Sequence, residues 1–389
     1  MVGAVVFVGI TVMLAVGSNA RDLSAVEPYK LFRSVAVLRE QIVSGNQSAH
    51  KLNAELTARL AKHLITVDPE VWKDRRNRLG LIQFLASGGN PSPMVEALKY
   101  RVFPEDEASL AIGMLAYATG AKRKAATLLE KVDPHDYPGR LGGSIAIVKA
   151  ILIEPKDIPA ALYLLDQARL LSIGTLVEEA ALRVSLGFLL EGRKDAEFEE
   201  AALRYFRRFR ASIYAPTTIP TIAQYAAERD YASSAKSKRW LNEVASFLPK
   251  EQKYRLYAAV ADRAIRRGAV SATVAAARSA SGFAVELGHR SDHLRVFEGA
   301  ALVLTDRIDH GVSALLGLEK SRLPKRYRDL VDAALSVASM VRSPPLETAT
   351  APTPSKGKVG QAATKLPDTD DYVRRANALL TDANALIKN

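Results

Sequence analysis

The stretch "SLAIGMLAYATGAKRKAATLLEKVDP", Ser109 to Pro134, decides the fold class. Leu110, Gly113 and Tyr117 recur at three- and four-residue steps, Gly120 interrupts them, and Ala125 and Leu128 resume the pattern before Pro134. A 3.6-residue recurrence of apolar positions forms one stripe along a helix, and small residues within it let two helices approach closely. The segment therefore predicts a helix, a tight turn and a second helix folded back on the first. Pro134 is expected to end the second helix, because its ring cannot continue the backbone ladder.

Such a hairpin cannot bury its apolar face alone, so the question is whether it recurs. About 34 residues on, "GSIAIVKAILIEPKDIPAALYLLDQARLL" (Gly143 to Leu171) repeats the plan, and a third copy opens near Leu176, spaced as in degenerate tetratricopeptide units. Upstream, Leu31, Val35, Leu38 and Ile42 keep helical spacing, Gly45-Asn46 breaks it, and Leu52, Leu56, Leu60 and Leu64 form a further stripe. From Pro216 to about Val341 the helical pattern continues through alanine-rich segments such as "KYRLYAAVADRAIRRG". The expected fold is an all-α, tetratricopeptide-like helical-hairpin solenoid over residues 27–341.

The flanks differ in composition. "AVVFVGITVMLAVG" (Ala4 to Gly17) is uncharged and ends in Ser18-Asn19-Ala20 before Arg21, so residues 1–20 are expected to be a signal peptide cleaved after Ala20. A retained N-terminal anchor is the alternative, since no Lys or Arg precedes the run. Ser343 to Thr369 holds five prolines among Thr, Ala, Lys and Gly, which makes residues 342–369 an expected disordered linker. It leads to an amphipathic helix at 370–389, through Tyr372, Ala376, Leu379 and Leu386.

The chain has 389 residues, a formal charge of +12 and no cysteine, which excludes disulfides, thiolate catalysis and Cys-based metal sites. The positive balance suits nucleic acid, an anionic envelope polymer or an acidic protein partner. Export to the periplasm removes nucleic acid from the expected partners.

Neither a GxGxxG nor a GxxxxGK[ST] loop occurs. "GGSIA" lacks the final glycine of a nucleophile elbow, so Ser144 is expected to be structural. His289 and His293 lie four apart, a spacing able to hold a metal, but Arg290 stands where a zinc hydrolase would need glutamate. They are read as surface residues. "RLGLIQFLASGGNP" (Arg78 to Pro91) superficially resembles a lytic-transglycosylase segment, yet Glu70-Val71 replaces the Glu-Ser pair required upstream. No catalytic residue, metal, cofactor or small-molecule substrate is therefore expected.

The third hairpin holds the remaining candidates. In "GTLVEEAALRVSLGFLL" (Gly174 to Leu190) the adjacent Glu178 and Glu179 point about 100° apart and cannot close on one atom. Glu179 is expected to pair with Arg183 along the surface. Its partner helix, "DAEFEEAALRYFRRFR" (Asp195 to Arg210), has Phe198, Ala202, Tyr205 and Phe209 as a buried stripe, and Glu200 within reach of Arg204. The expected partner-binding patch comprises Arg204, Arg207, Arg208 and Arg210 with Tyr205 and Phe206 supplying contact area; the alternative is a solvated helix end stabilised by its dipole.

"EPYKLFRSV", "VDPEVW…NRLGLIQFLASGGNP", "GTLVEEAALR" and "RYFRRFRASIYA" together resemble the MotC family of periplasmic motility proteins of rhizobia and related alphaproteobacteria, over about Glu27 to Val341. The resemblance implies a non-enzymatic periplasmic component needed for flagellar rotation, acting through the periplasmic part of the stator protein MotB. It carries no residue-level site. A peptidoglycan-acting enzyme and a generic periplasmic solenoid adaptor are the alternative readings, and the oligomeric state is left open.

Overall fold

The computed structural model describes residues 26–153 and 157–342. The expected signal peptide, the C-terminal helix and the linker, except Arg342, lie outside them. Arg342 itself closes the last described helix. The described residues form α-helices joined by short loops and 3-10 turns, with no strand among them. The fold class is all-α. The described residues divide into two compact units, one up to Thr218 and one from Ile219 onward, a boundary that the sequence does not announce.

The first unit is an array of helical hairpins. Helix α1 (Pro28–Val43) turns into α2 (Gln47–Ile65), α3 (Arg75–Ala86) is followed by α4 (Ser92–Lys99), and α5 (Glu105–Ala118) by α6 (Lys122–Leu129). Then come α7 (Gly139–Ile153) with α8 (Ile158–Leu171), and α9 (Leu176–Glu191) with α10 (Asp195–Phe209). Short side chains start several of them. The Asn46, Asp157 and Thr175 side chains accept the N–H groups of Ala49, Ala160 and Val177, satisfying donors that a helix leaves free at its start.

The deciding segment folds as expected at its turn and differently at its end. A Cβ on Gly113 would lie 2.7 Å from Leu129 Cδ2, so the small residue is what brings α5 onto α6. However, α6 ends at Leu129, and Pro134 instead opens a 3-10 turn capped by Asp133. Around these helices Leu64, Trp72, Leu81, Ile82, Met94, Leu110 and Met114 are essentially inaccessible to solvent. Each such side chain stabilises by about 1.5–3 kcal/mol through burial.

Stacked hairpins ordinarily touch only their neighbours, but here the first returns to the last. Helix α1 packs on both α3 and α9, α3 on α7, and α7 on α9, so the four close into a ring. Three contacts hold the closure. Gly45 ends α1 at φ +90°, and a Cβ there would sit 2.4 Å from the Ala211 carbonyl oxygen. His50 meets Tyr214 edge-on at 6.0 Å, and Glu40 pairs with Arg140.

The second unit contains α11 (Ile219–Glu228), α12 (Ala235–Ser246), α13 (Lys250–Arg266), α14 (Val270–Leu287), α15 (Asp292–Leu302), α16 (Ile308–Leu316) and α17 (Lys325–Arg342). Its longest hairpin joins α13 to α14 through buried Ala261, Ala264, Ala272, Ala276 and Ala280, which bring the two backbones close. Helix α15 then packs on α14, α16 and α17. No helix among the described residues is long and apolar enough to cross a membrane.

Candidate functional site on the last hairpin of the first unit

The two adjacent glutamates open α9, where the helix dipole favours negative charge. They are not solvated. Glu178 and Glu179 are 1% and 0% exposed, which overturns the expectation of a surface pairing. Glu178 Oε2 accepts the Gly174 N–H at 2.6 Å and lies 3.0 Å from Arg208 Nη2 on α10. Glu179 Oε1 accepts the Tyr205 hydroxyl at 2.5 Å and lies 3.5 Å from Arg183 Nε. The expected Glu179–Arg183 ion pair thus exists, but inside the hairpin. The carboxylates fasten α9 to α10 and diverge too far to work on a common atom.

Helix α10 buries Phe198, Ala202, Tyr205, Phe206 and Phe209. Tyr205 and Phe206 are both fully covered, their rings edge-on at 5.3 Å. Neither can supply contact area to a partner, which corrects that part of the expected patch. The spacing held the signal: apolar positions at 198, 202, 205, 206 and 209 describe a wide stripe that includes Phe206. What reaches the surface is Arg204, Arg207, Arg208 and Arg210. Arg204 pairs with Glu200 as expected at i, i+4, and with Leu203, Arg207 and Arg208 they line a shallow depression of about 450 Å³. Exposed pairs of this kind contribute about 0–1 kcal/mol, so such an arginine exchanges partners at little cost. Arg208 is different, because its pair with buried Glu178 ties it to the fold.

Burial pushes the Glu179 carboxyl above its ordinary value of 4.5, while the Tyr205 hydroxyl and Arg183 pull it down. A raised carboxyl favours the folded state below the unfolded pKa, and that advantage is lost as pH rises toward the folded one. Removing the hydroxyl lets the folded pKa climb further. Tyr205→Phe should therefore destabilise by about 1–3 kcal/mol at pH 8 and by distinctly less at pH 4.5. Urea titrations at both values check this; an equal loss at each pH would disprove the coupling to Glu179.

The other sequence candidates fall into structural places. Ser144 lies in the middle of α7, its hydroxyl donating to the Arg140 carbonyl at 2.9 Å and accepting from Gln83 Nε2 at 3.1 Å. The "GLIQ" segment lies inside α3, and exposed Glu70 pairs with Lys73 at 2.7 Å. His289 meets Tyr254 edge-on at 5.2 Å and lies 3.7 Å from Glu251, whereas His293 packs against Phe297 and Tyr327 and is half-buried, not at the surface. The two imidazoles thus have separate surroundings. No group of three or more His, Cys, Asp and Glu is assembled for a metal among the described residues. The sequence reading also missed a cavity of about 340 Å³ inside the α1–α3–α7–α9 ring.

Fold and site together define an all-α protein built from helical hairpins, carrying an arginine-rich helix face that is held by a buried aromatic stripe. The family model described as Chemotaxis protein MotC matches residues 1–389, and the chain belongs to that family. A curated relative, the Chemotaxis protein MotC of Rhizobium meliloti (strain 1021), is 28% identical over 349 residues, spanning 88% of this chain and 79% of that protein.

Proposed function

We propose that the protein is a non-enzymatic periplasmic scaffold required for flagellar rotation, and that it binds the periplasmic part of the stator protein MotB through the exposed arginines of α10. The observation that carries this reading is the match to the MotC family along the whole chain. Support for the surface comes from chemistry: guanidinium forks pair well with carboxylates, and these stand on a helix whose opposite face is a buried aromatic stripe. A partner segment held there would populate the conformation that fits best, which is how a scaffold without a reaction centre acts on a motor.

The test changes the surface and spares the fold. Arg204, Arg207 and Arg210 are replaced together by glutamate, while Arg208 is kept because of its tie to Glu178. The helical signal should persist, binding to the purified MotB periplasmic segment should weaken about tenfold or more, and the difference should shrink at high salt. Cells carrying the variant should assemble filaments but swim poorly, with the chain recovered in the periplasmic fraction. Unchanged binding and motility in the folded variant would overturn the assignment of this face, and a purely cytoplasmic chain would overturn the compartment.

A further inference from the structure

The ring cavity has the size and lining of a small-molecule site. Its volume of about 340 Å³ lies within the range of ligand pockets. Phe32, Phe84, Ile147 and Val148 supply apolar wall, with the two phenyl rings 5.9 Å apart. Three guanidinium groups, from Arg39, Arg140 and Arg183, also line it.

The charges do not balance. Arg140 is matched by Glu40, and Arg183 by Glu179. Arg39 donates to Asn53 Oδ1 at 3.3 Å but, among the described residues, no carboxylate acts on it; burial weakens its hold on its proton, and the opposing influence is Tyr214. Tyr214 also lies under Arg183, whose guanidinium is 5.4 Å from the ring centre. Arg39 and Arg183 therefore share one end of the cavity. Two further lining atoms are buried without a hydrogen bond of good geometry: the donor Arg183 Nε, whose nearest carboxylate oxygen is Glu179 Oε1 at 3.5 Å, and the acceptor Gln83 Oε1. A largely buried guanidinium without a counter-charge is costly unless something negative fills the space, and Gln83 Oε1, an acceptor, leaves room there for a donor such as a bridging water.

We propose that this cavity binds a small amphipathic monoanion, a carboxylate on an aliphatic or aromatic tail, with the head at Arg39 and Arg183 beside Tyr214 and the tail against Phe32 and Phe84. One negative charge matches the one unbalanced guanidinium. A dianion loses more hydration on entry, because the desolvation penalty grows with the square of the charge. The volume suits a tail of about eight to ten carbons. The ligand is a bound effector and not a substrate, and its binding does not depend on the α10 face.

Calorimetry on the full chain tests the site with three probes of one tail length: decanoate, decan-1-ol and decyl phosphate at pH 8. Decanoate should bind with a micromolar Kd, and the alcohol and the phosphate about tenfold more weakly or worse. Arg39→Gln should weaken decanoate about tenfold, with Arg39→Lys retaining most of the affinity. Ala180→Phe, which fills the cavity from α9, should abolish binding with the helical signal unchanged. Absence of decanoate binding at about 1 mM would overturn the proposal. So would equal affinity for the alcohol or the phosphate, or full affinity in either folded variant. If Arg39→Gln does not fold, the probe series and Ala180→Phe decide.

Discussion

Alanine in place of Glu107 should destabilise the first unit by about 3–5 kcal/mol, the expected effect of removing one partner from a buried ion pair. Glu107 stands in the first turn of α5 and receives Arg78 Nε at 2.5 Å and Arg75 Nε at 2.9 Å. The Glu107 and Arg78 side chains are only 3% and 7% exposed, so water cannot replace a lost partner. Arg78 Nη1 also donates to the Trp72 and Lys73 carbonyls, at 3.0 and 2.7 Å, which fixes the turn leading into α3. Without Glu107 this guanidinium keeps two neutral acceptors and only the more distant Asp74 carboxylate as counter-charge. Glu105→Ala provides the control: that residue shares the turn but is exposed, and its loss should stay within about 0.5 kcal/mol. Urea midpoints for the two variants make the comparison, and a Glu107→Ala loss below about 1 kcal/mol would show that the pair is not needed.

Periodicity made the hairpins legible because each is a local object. Leu110, Gly113 and Ala125 act between two helices a few residues apart, and their spacing alone predicts α5 and α6. The same holds for α9 and α10, with breaks close to those expected. What periodicity cannot carry is contact between distant turns. Glu178 finds Arg208, and Glu179 finds Tyr205, across the hairpin, whereas the i, i+4 rule sees only Arg183. Two acids within an apolar run could therefore be recognised as poor catalysts while their burial went unseen.

Ring closure lies further still from local signals. Gly45 pressing on Ala211, and Glu40 pairing with Arg140, join residues of different hairpins, and neither partner stands out by type. The cavity they surround has no motif, since Arg39 and Arg183 come from α1 and α9 and look in sequence like ordinary helix arginines. The aromatic correction is of another kind. Phe206 is readable as buried from the width of its stripe, although the arginines beside it in sequence are exposed.

Leucine in place of Gly143 should destabilise the first unit by about 3 kcal/mol, at or beyond the upper end of what overpacking a core usually does. A Cβ there would fall 2.1 Å from Ser172 Oγ, 2.9 Å from Val177 Cγ1 and 3.0 Å from the Ala168 carbonyl oxygen. These belong to the end of α8, the loop after it and the start of α9, so one substitution on α7 pushes against three segments. Ser172 cannot yield freely, because its buried hydroxyl donates to the Gly139 carbonyl at 2.9 Å. Gly142 leaves no slack on its own side, since its Cβ would lie 2.3 Å from the Pro134 carbonyl oxygen. The glycine pair that brushes against a nucleophile motif is thus where α7 seats on its neighbours. Gly187, inside α9 with nothing within 4 Å of its Cβ position, gives the opposite expectation: Gly187→Ala should stabilise by about 0.5–1 kcal/mol through helix propensity. Thermal melts of the two variants should move in opposite directions, and a Gly143→Leu melting temperature within about 2 °C of the parent would show that the packing relaxes. In cells a loss of this size lowers the amount of folded protein several-fold. Gly143→Leu should therefore impair swimming together with a fall in abundance, whereas the α10 arginine variant should impair it at normal abundance, so one immunoblot separates loss of the scaffold from loss of its binding face.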